Sequence, residues 1–237
     1  MRINKFLASC GIASRRNSEQ YVLEGRVKVN GKVVTALSTE IREDKDVVTL
    51  DGKVVSLPKK HIYLMMNKPK GFICSVSDDR ERKTIIDLLP EEFKNKRVFP
   101  IGRLDYDSEG LLLLTTDGDL ANRLMHPSGD VNKTYVCKVE GQVLEADIAK
   151  LRKGVELDGS LTKKAKIKLL EFDGKLSRYE ITISEGRNRQ IRRMFETINK
   201  EVVFLRRVAI GDLRLGGLYR GETRELKPEE IEYLMRF

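Results

Sequence analysis

The sequence predicts an α+β protein with two domains. The chain has 237 residues, which exceeds the roughly 100–150 residues of a common single domain. Strand-like segments with apolar residues at every second position are mixed with a few segments of helical periodicity, and the regular strand–helix alternation of a parallel-sheet protein is missing. A short polar segment near residue 59 separates a small basic part, residues 1–59, from a larger part, residues 60–237.

The first 25 residues predict two short helices. The segment Ile3–Ser9 is compatible with a helix that stops at Gly11. Ser14 has the side chain of a helix N-cap, and the helix that it begins is expected to run to Glu24. Gly25 then provides the left-handed residue at which helices commonly end.

Two tight turns predict a small antiparallel sheet after these helices. Asn30-Gly31 and Asp51-Gly52 each stand between runs of alternating valines. These dipeptides adopt the positive backbone angles of two-residue hairpin turns. The N-terminal part is therefore expected to be two helices packed on paired hairpins.

The larger part predicts a mixed, mostly antiparallel sheet with helices beside it. Alternating apolar residues indicate strands in segments 61–71, 133–141, 165–172 and 177–184, and helical periodicity is present in 144–154 and 227–237. The run Leu111–Leu114 predicts a short buried element. A turn is expected at Asp117-Gly118, where this element ends.

The charge distribution indicates a polyanionic partner. The formal net charge is +9, and most of the excess comes from two segments, 1–32 and 187–207, which each contain seven basic and two acidic residues. Clustered positive charge of this kind favours nucleic acid. The apolar runs fall well short of the ~20 residues of a membrane span, and the start MRINKFLASCGIASRR lacks the pattern of a signal peptide. We therefore expect a cytoplasmic protein without membrane association.

Metal and cofactor sites are not predicted. The three cysteines, Cys10, Cys74 and Cys137, and the two histidines, His61 and His126, are scattered and do not have the spacing of metal ligands. They are expected to be structural. Because the phosphate-binding and dinucleotide-binding glycine patterns are also missing, we expect no cofactor.

One carboxylate in the stretch GRLDYDSEGLLLLTTDGD, residues 102–119, is a candidate for catalysis. Asp105 follows Leu104 and precedes the leucine run, close to where the chain enters the core. Arg103 is adjacent, but neighbouring strand residues point to opposite faces, so a cation for Asp105 must come from elsewhere. The remaining carboxylates are expected to be solvated or to cap elements: Asp107, Glu109, Asp117 and Asp119.

The second basic segment contains an amphipathic helix that offers such a cation. In EGRNRQIRRMFETINK the apolar positions Ile191, Met194, Phe195 and Ile198 form one stripe. Arg192 flanks this stripe, where its planar guanidinium could reach a partly buried carboxylate. A surface position for Arg192 remains the alternative at this point.

The N-terminal part resembles the S4 RNA-binding domain. The resemblance is carried by INKFLASCGIASRRNSEQYVLEGRVKVNG, which combines a basic helix start, the Ala-Ser-Arg-Arg turn and the Gly-Arg-Val-x-Val-Asn-Gly hairpin. It implies a face that binds RNA phosphates with salt-dependent affinity and little sequence preference. The residues that the resemblance places on this face are Arg2, Lys5, Arg15, Arg16 and Arg26.

The larger part resembles the RsuA/RluB-type pseudouridine synthases. The motifs are NKPKG at 67–71, GRLDYDSEGLLLLTTDG at 102–118, KTY at 133–135 and EGRNRQIRRM at 185–194. The resemblance implies a pseudouridine synthase fold, in which Asp105 is the catalytic aspartate, Tyr135 packs on the target base and Arg192 pairs with Asp105. Core packing is the alternative for Tyr135. Weaker candidates for contacts to the RNA backbone are Arg103, Lys68, Lys70 and Arg187, and solvated surface is the alternative for each.

The subtype suggested by the resemblance is a ribosomal RNA enzyme. Arg189 replaces a histidine that many relatives have, and TTDGDLANRLMHPS at 115–128 is most similar to the RluB branch. The expected activity is conversion of a uridine to pseudouridine in large-subunit rRNA, free or in an assembly intermediate, by a monomeric enzyme. The alternatives are a small-subunit rRNA enzyme, a non-catalytic ribosome-assembly factor and a metal-dependent nuclease.

Overall fold

A computed structural model describes residues 1–126 and 129–237. Its N-terminal part contains the helices α1 (Ile3–Ser9) and α2 (Arg15–Leu23) and a four-stranded antiparallel sheet. The sheet has the order β2-β1-β3-β4 and consists of β1 (Val27–Val29), β2 (Lys32–Val33), β3 (Val48–Leu50) and β4 (Lys53–Val55). Among the described residues, no helix is long and apolar enough to cross a membrane.

The local signals of the first 55 residues have the expected structural effects. The Ser14 hydroxyl accepts a hydrogen bond from the Asn17 backbone N–H at 3.1 Å and caps α2. Asn30 and Asp51 have φ values of 51° and 49°, as the two hairpin turns require. The predicted helices and hairpins are therefore confirmed.

The larger part is built on a nine-stranded sheet. Seven strands follow the order β11-β12-β8-β13-β7-β5-β15, with β6 paired to β7 and β14 paired to β13. Every pair is antiparallel except β7 with β13, so the expected mixed, mostly antiparallel sheet is confirmed. The strands are β5 (Tyr63–Lys68), β6 (Phe99–Ile101), β7 (Glu109–Thr115), β8 (Lys133–Glu140), β11 (Lys166–Phe172), β12 (Leu176–Ile183), β13 (Val202–Ile210), β14 (Leu213–Arg214) and β15 (Thr223–Glu225).

Helices and one hairpin surround this sheet. The hairpin strands are β9 (Glu156–Leu157) and β10 (Ser160–Leu161), and the segment Ile85–Leu88 is a 3-10 helix. The α-helices are α3 (Glu91–Lys94), α4 (Gly118–Met125), α5 (Glu145–Lys153), α6 (Gln190–Glu196) and α7 (Pro228–Met235). The predicted helices at 144–154 and 227–237 correspond to α5 and α7.

The leucine run is the central strand β7, which is buried along its whole length. Leu112 and Leu114 belong to one apolar cluster, and Leu111 and Leu113 belong to another on the opposite face of the sheet. A strand with both faces covered requires such a continuous apolar run. Gly110 allows β13 to approach, because a Cβ there would lie 2.2 Å from the Arg207 carbonyl oxygen.

Two expectations around this strand are corrected. Glu109 is only 2 % exposed because it opens the buried strand β7, and its carboxylate pairs with Arg220 at 3.1 Å instead of being solvated. Asp117-Gly118 begins helix α4 rather than a simple turn, and Asp117 caps it by accepting from the Asp119 and Leu120 backbone N–H groups, each at 3.0 Å.

Candidate active site

A cleft of about 590 Å³ lies between the loop that follows β6 and the segment that precedes α6. This volume falls within the roughly 300–1,000 Å³ of typical small-ligand sites. Its wall includes Asp105 from the loop, Tyr135 from β8, Gln190 from the start of α6 and Arg207 from β13. Three of the four sequence motifs therefore contribute directly to one cavity, although they are far apart in the chain.

Asp105 is half-buried on the cleft wall. Its backbone carbonyl oxygen accepts hydrogen bonds from the Lys68 ammonium at 3.0 Å and from the Ser108 N–H at 3.1 Å. Among the described residues, no basic nitrogen lies within 4 Å of its carboxylate. The main chain is thus fixed while the carboxylate remains available to a bound molecule, as a nucleophile or a base needs to be.

Lys68 has a different position from the one expected of a substrate contact. The side chain is fully buried, and its ammonium donates to the carbonyl oxygens of Pro69, Asp105 and Ser108 at 2.9–3.1 Å. Burial lowers its pKa. The expected RNA contact is therefore wrong for Lys68, because the ammonium ties the end of β5 to the 105–108 loop.

Arg192 pairs with Asp107 and not with Asp105. Its Nη2 lies 3.1 Å from Asp107 Oδ2 and donates to the Asp107 carbonyl oxygen at 3.3 Å, while Nη1 donates to the Val202 carbonyl oxygen. Arg192 is 7 % exposed at the point where α6 packs on the sheet. The pairing implied by the resemblance is thus corrected, because the guanidinium reaches the loop two residues beyond the cleft aspartate.

Asp107 is consequently not the solvated loop charge that the sequence suggested. Its half-exposed carboxylate also accepts from Arg189 Nη1 at 3.1 and 3.3 Å. Burial acts to raise its pKa, but the hydrogen bond from Arg189 and the charges of Arg192 and Arg189 outweigh burial and lower it. The 105–108 loop is therefore held by Lys68 at one side and by these two arginines at the other.

Tyr135 and Arg103 both line the cleft, as expected of residues near a bound nucleotide. Tyr135 is 8 % exposed and belongs to the main apolar cluster as well, so it has a packing role besides any contact with a base. Arg103 is exposed. An aromatic face and an exposed guanidinium at one cleft suit a base and a phosphate, respectively.

Arg187 reaches the cleft wall, but its guanidinium is already engaged. Nη1 donates to the carbonyl oxygens of Leu157 and Ser160 at 3.1 and 2.9 Å, and Nη2 donates to that of Leu161. Nε lies 3.3 Å from Glu185 Oε2. The side chain therefore holds the β9–β10 hairpin against the cleft, which leaves little capacity for the expected contact with the RNA backbone.

The cleft residues that the sequence analysis did not single out include two cations, Lys133 and Arg207. Lys133 opens the KTY motif, and its Nζ donates to the Val131 carbonyl oxygen at 3.1 Å. Arg207 is 3 % exposed on β13. The signal available for Arg207 was a basic residue inside the apolar strand segment RRVAI, where a buried charge needs a reason.

The N-terminal basic residues differ in how freely their charges are presented. Arg2, Arg15 and Arg16 are exposed. Lys5 is half-buried, and its Nζ lies 2.6 Å from Asp119 Oδ1 of α4. Arg26 pairs with Asp51 at 2.6 Å and Glu24 at 3.3 Å, and its guanidinium carbon lies 4.4 Å from the centroid of the Tyr21 ring. All five basic residues belong to the N-terminal part, but Arg15 and Arg16 are the clearest candidates for RNA contact.

The cysteines are suited to packing rather than to nucleophilic chemistry. Burial raises the pKa of Cys137 to about 12 and is the main cause that raises the pKa of Cys10 to about 11. The Cys74 sulfur, whose pKa burial also raises, accepts a hydrogen bond from the Leu104 N–H at 3.3 Å. Thiols with raised pKa values contain little thiolate at neutral pH.

The fold and the cleft agree with the family to which the chain is related. The RNA pseudouridylate synthase family profile matches residues 62–197, and the S4 domain profile matches residues 1–48. The chain belongs to the RNA pseudouridine synthases, which isomerise uridine in RNA to pseudouridine, and it has an N-terminal S4 domain.

Relatives of known name and structure cover nearly the whole chain. Ribosomal large subunit pseudouridine synthase B of Bacillus subtilis is 46 % identical over 98 % of this chain and 95 % of that protein. The enzyme of the same name from Haemophilus influenzae is 42 % identical over 98 % of this chain and 66 % of its own length. A crystal structure of a pseudouridylate synthase covers 99 % of both chains, with 34 % identity and a TM-score of 0.71. The final two residues of the 115–128 motif, Pro127 and Ser128, lie outside the described residues.

Proposed function

We propose that this enzyme converts one uridine of large-subunit ribosomal RNA to pseudouridine, with Asp105 as the catalytic residue. The observation that carries the proposal is the Asp105 carboxylate, which lines a nucleotide-sized cleft beside Tyr135. The names of the Bacillus and Haemophilus relatives support the large subunit as the source of the substrate. The substrate is free rRNA or an assembly intermediate, and the enzyme acts as a cytoplasmic monomer.

The reaction requires a carboxylate that can reach the ribose and base of a nucleotide taken out of its stack. Extruding a base costs a few kcal/mol, and stacking on an aromatic ring returns about 1–3 kcal/mol. Tyr135 offers such a ring on the cleft wall. Asp105 then attacks the nucleotide or assists departure of the base as the bond between C1′ and N1 breaks. The base turns, a bond forms between C1′ and C5, and C5 loses a proton while N1 gains one, so that the product is an isomer of the substrate.

The two parts of the chain have different roles, namely RNA binding and catalysis. The exposed Arg15 and Arg16 bind RNA phosphates, and the chemical step belongs to the cleft in residues 60–237. Lys68 and Arg192 act as positioning residues, because both hold the 105–108 loop without lying at the reacting atoms.

Mapping of pseudouridine in rRNA from cells with and without the protein tests the proposal. Loss of one pseudouridine in large-subunit rRNA is expected, with recovery on expression of the wild type and no recovery with Asp105→Asn. A change confined to small-subunit rRNA would replace the proposed substrate. Full recovery by Asp105→Asn would remove Asp105 from the reaction. The absence of recovery counts for the proposal when circular dichroism shows that the variant is as folded as the wild type.

A further inference from the structure

We propose that Lys133 and Arg207 form a subsite for one phosphodiester group of the RNA, next to the nucleotide whose base packs on Tyr135. The inference rests on the proposed function for the position of that base. It gives a ligand contact to Lys133 and Arg207, which have no role in the proposed reaction. Both residues line the same cleft as Asp105.

The sheet places the three side chains on two adjacent strands. Arg207 of β13 lies directly opposite Tyr135 of β8 in the strand register, and Lys133 lies opposite Ile210. Lys133 and Tyr135 are two residues apart on β8, so they share a face of the sheet. The two cations thus belong to the positions next to Tyr135 at the cleft wall, one across the strand pair and one along β8.

Neither cation is neutralised by the protein. Within residues 1–126 and 129–237, no carboxylate lies within 4 Å of Lys133 or Arg207. Arg207 is 3 % exposed, its Nε donates to the Leu111 carbonyl oxygen at 2.7 Å, and its buried Nη2 has no hydrogen-bond partner. An unpaired donor on a buried guanidinium is costly, and it is rarely retained without a partner.

The two cations also oppose each other. Burial lowers the pKa of Lys133, and the charge of Arg207 lowers it further. An anion between them would relieve the repulsion and accept the free donor. Uracil is neutral and would be satisfied by uncharged donors, whereas a phosphodiester supplies both the negative charge and the acceptor oxygens. RNA phosphate is therefore the ligand chemistry that fits this pair.

The experiment combines a change in the enzyme with a change in a single phosphate. The probe is a stem–loop of large-subunit rRNA around the uridine identified by mapping, with an uncharged methylphosphonate at the 5′ or at the 3′ linkage of that uridine. Affinity is measured across a salt series with Asp105→Asn, so that the RNA is not converted, and again with Lys133→Gln added. Lys138→Gln is the matched control, because Lys138 is exposed on the same strand and outside the cleft.

One of the two methylphosphonates is expected to weaken binding about ten- to hundredfold, and Lys133→Gln should weaken binding of native RNA comparably. The enzyme that carries Lys133→Gln in addition to Asp105→Asn should lose most of its sensitivity to that methylphosphonate. The log–log slope of its RNA affinity against salt concentration should fall by about 0.7. Lys138→Gln should change neither quantity.

The subsite would be overturned if the enzyme with both Asp105→Asn and Lys133→Gln were as sensitive to the methylphosphonates as the enzyme with Asp105→Asn alone. It would also be overturned if Asp105→Asn bound both modified RNAs as tightly as the native RNA. Because the second result does not depend on any substitution at Lys133, it decides the matter even if Lys133→Gln fails to fold. Isomerisation of the unmodified stem–loop by the wild type is followed in parallel. If the wild type isomerises the stem–loop and either negative result is found, the subsite alone is rejected. If the wild type isomerises this uridine neither in the stem–loop nor in large-subunit assembly intermediates, the proposed function is rejected instead.

Discussion

Arg192 contacts both the side chain and the backbone of Asp107: its Nη2 lies 3.1 Å from the Asp107 carboxylate oxygen and 3.3 Å from the Asp107 carbonyl oxygen. This contact joins helix α6 to the loop that presents Asp105. Arg192 therefore affects Asp105 indirectly, by fixing the loop at Asp107, two residues further along the chain.

Asp107→Asn is expected to lower the single-turnover rate about ten- to hundredfold at saturating enzyme, because a displacement of the loop by about 1 Å has an effect of this order. RNA affinity should stay within a few-fold. The folding stability should change by less than about 1 kcal/mol, since the carboxylate is half-exposed. Rapid-quench measurement of pseudouridine formation and urea unfolding give the two quantities.

Asp158→Asn is the control for this prediction. Asp158 also pairs with an arginine of α6, Arg193, at 2.6 Å, but it lies in the turn between β9 and β10 and not in the loop that presents Asp105. Its rate should equal that of the wild type. Equal losses in the two variants would show that the loop is not controlled by Asp107.

Lys68→Met is expected to reduce both folding stability and the rate of the folded fraction. The substitution removes the Lys68 hydrogen bond from three carbonyl oxygens, of which the Asp105 oxygen keeps its hydrogen bond from the Ser108 N–H. The expected loss is about 2–4 kcal/mol. Urea unfolding measures the stability, and single-turnover assays at low temperature measure the rate of folded enzyme. Lys70→Met is the control, because Lys70 is exposed and lies two residues after Lys68. It should change the folding stability by no more than about 0.5 kcal/mol. A fully active Lys68→Met enzyme would contradict the positioning role.

The local parts of the fold could be predicted because their signals are local. Ser14 and the Asn30-Gly31 and Asp51-Gly52 dipeptides determine backbone angles within a few residues. The pairing of Arg192 with Asp107 could not be found in this way, since it depends on how α6 packs against β13. The buried Glu109 was missed for the same reason, because its partner Arg220 is 111 residues away.

Arg15→Ala combined with Arg16→Ala is expected to raise KM and to leave the saturated rate nearly unchanged. Both side chains are exposed, and each phosphate contact that is lost should flatten the log–log salt slope by about 0.7–0.9. Steady-state kinetics at several salt concentrations measure these effects. Lys166→Ala combined with Lys168→Ala is the control, because both residues are exposed on the edge strand β11. Its KM, saturated rate and salt slope should equal those of the wild type. A loss confined to the saturated rate would refute the division between grip and chemistry.

Gly110→Ala is expected to destabilise the protein by at least about 2 kcal/mol, and 2 kcal/mol corresponds to a fall in Tm of roughly 4–8 °C for a chain of this size. Gly110 has φ +107°, and a Cβ there would lie 2.2 Å from a backbone oxygen of β13. Thermal unfolding followed by circular dichroism provides the measurement. Gly118→Ala should be neutral, since an added Cβ at the start of α4 meets no atom within 4 Å. Equal melting temperatures for the two variants would show that β7 and β13 do not approach so closely.

The contacts that complete the cleft join distant parts of the chain, since 85 residues separate Asp107 from Arg192 and 96 separate Leu111 from Arg207. Proteins are synthesised from the N-terminus, so the loop bearing Asp105 leaves the ribosome well before Arg189 and Arg192, which hold one side of it. The S4 part, whose contacts span the first 55 residues, can fold much earlier. A nascent chain therefore gains the ability to grip RNA before it gains the ability to modify it.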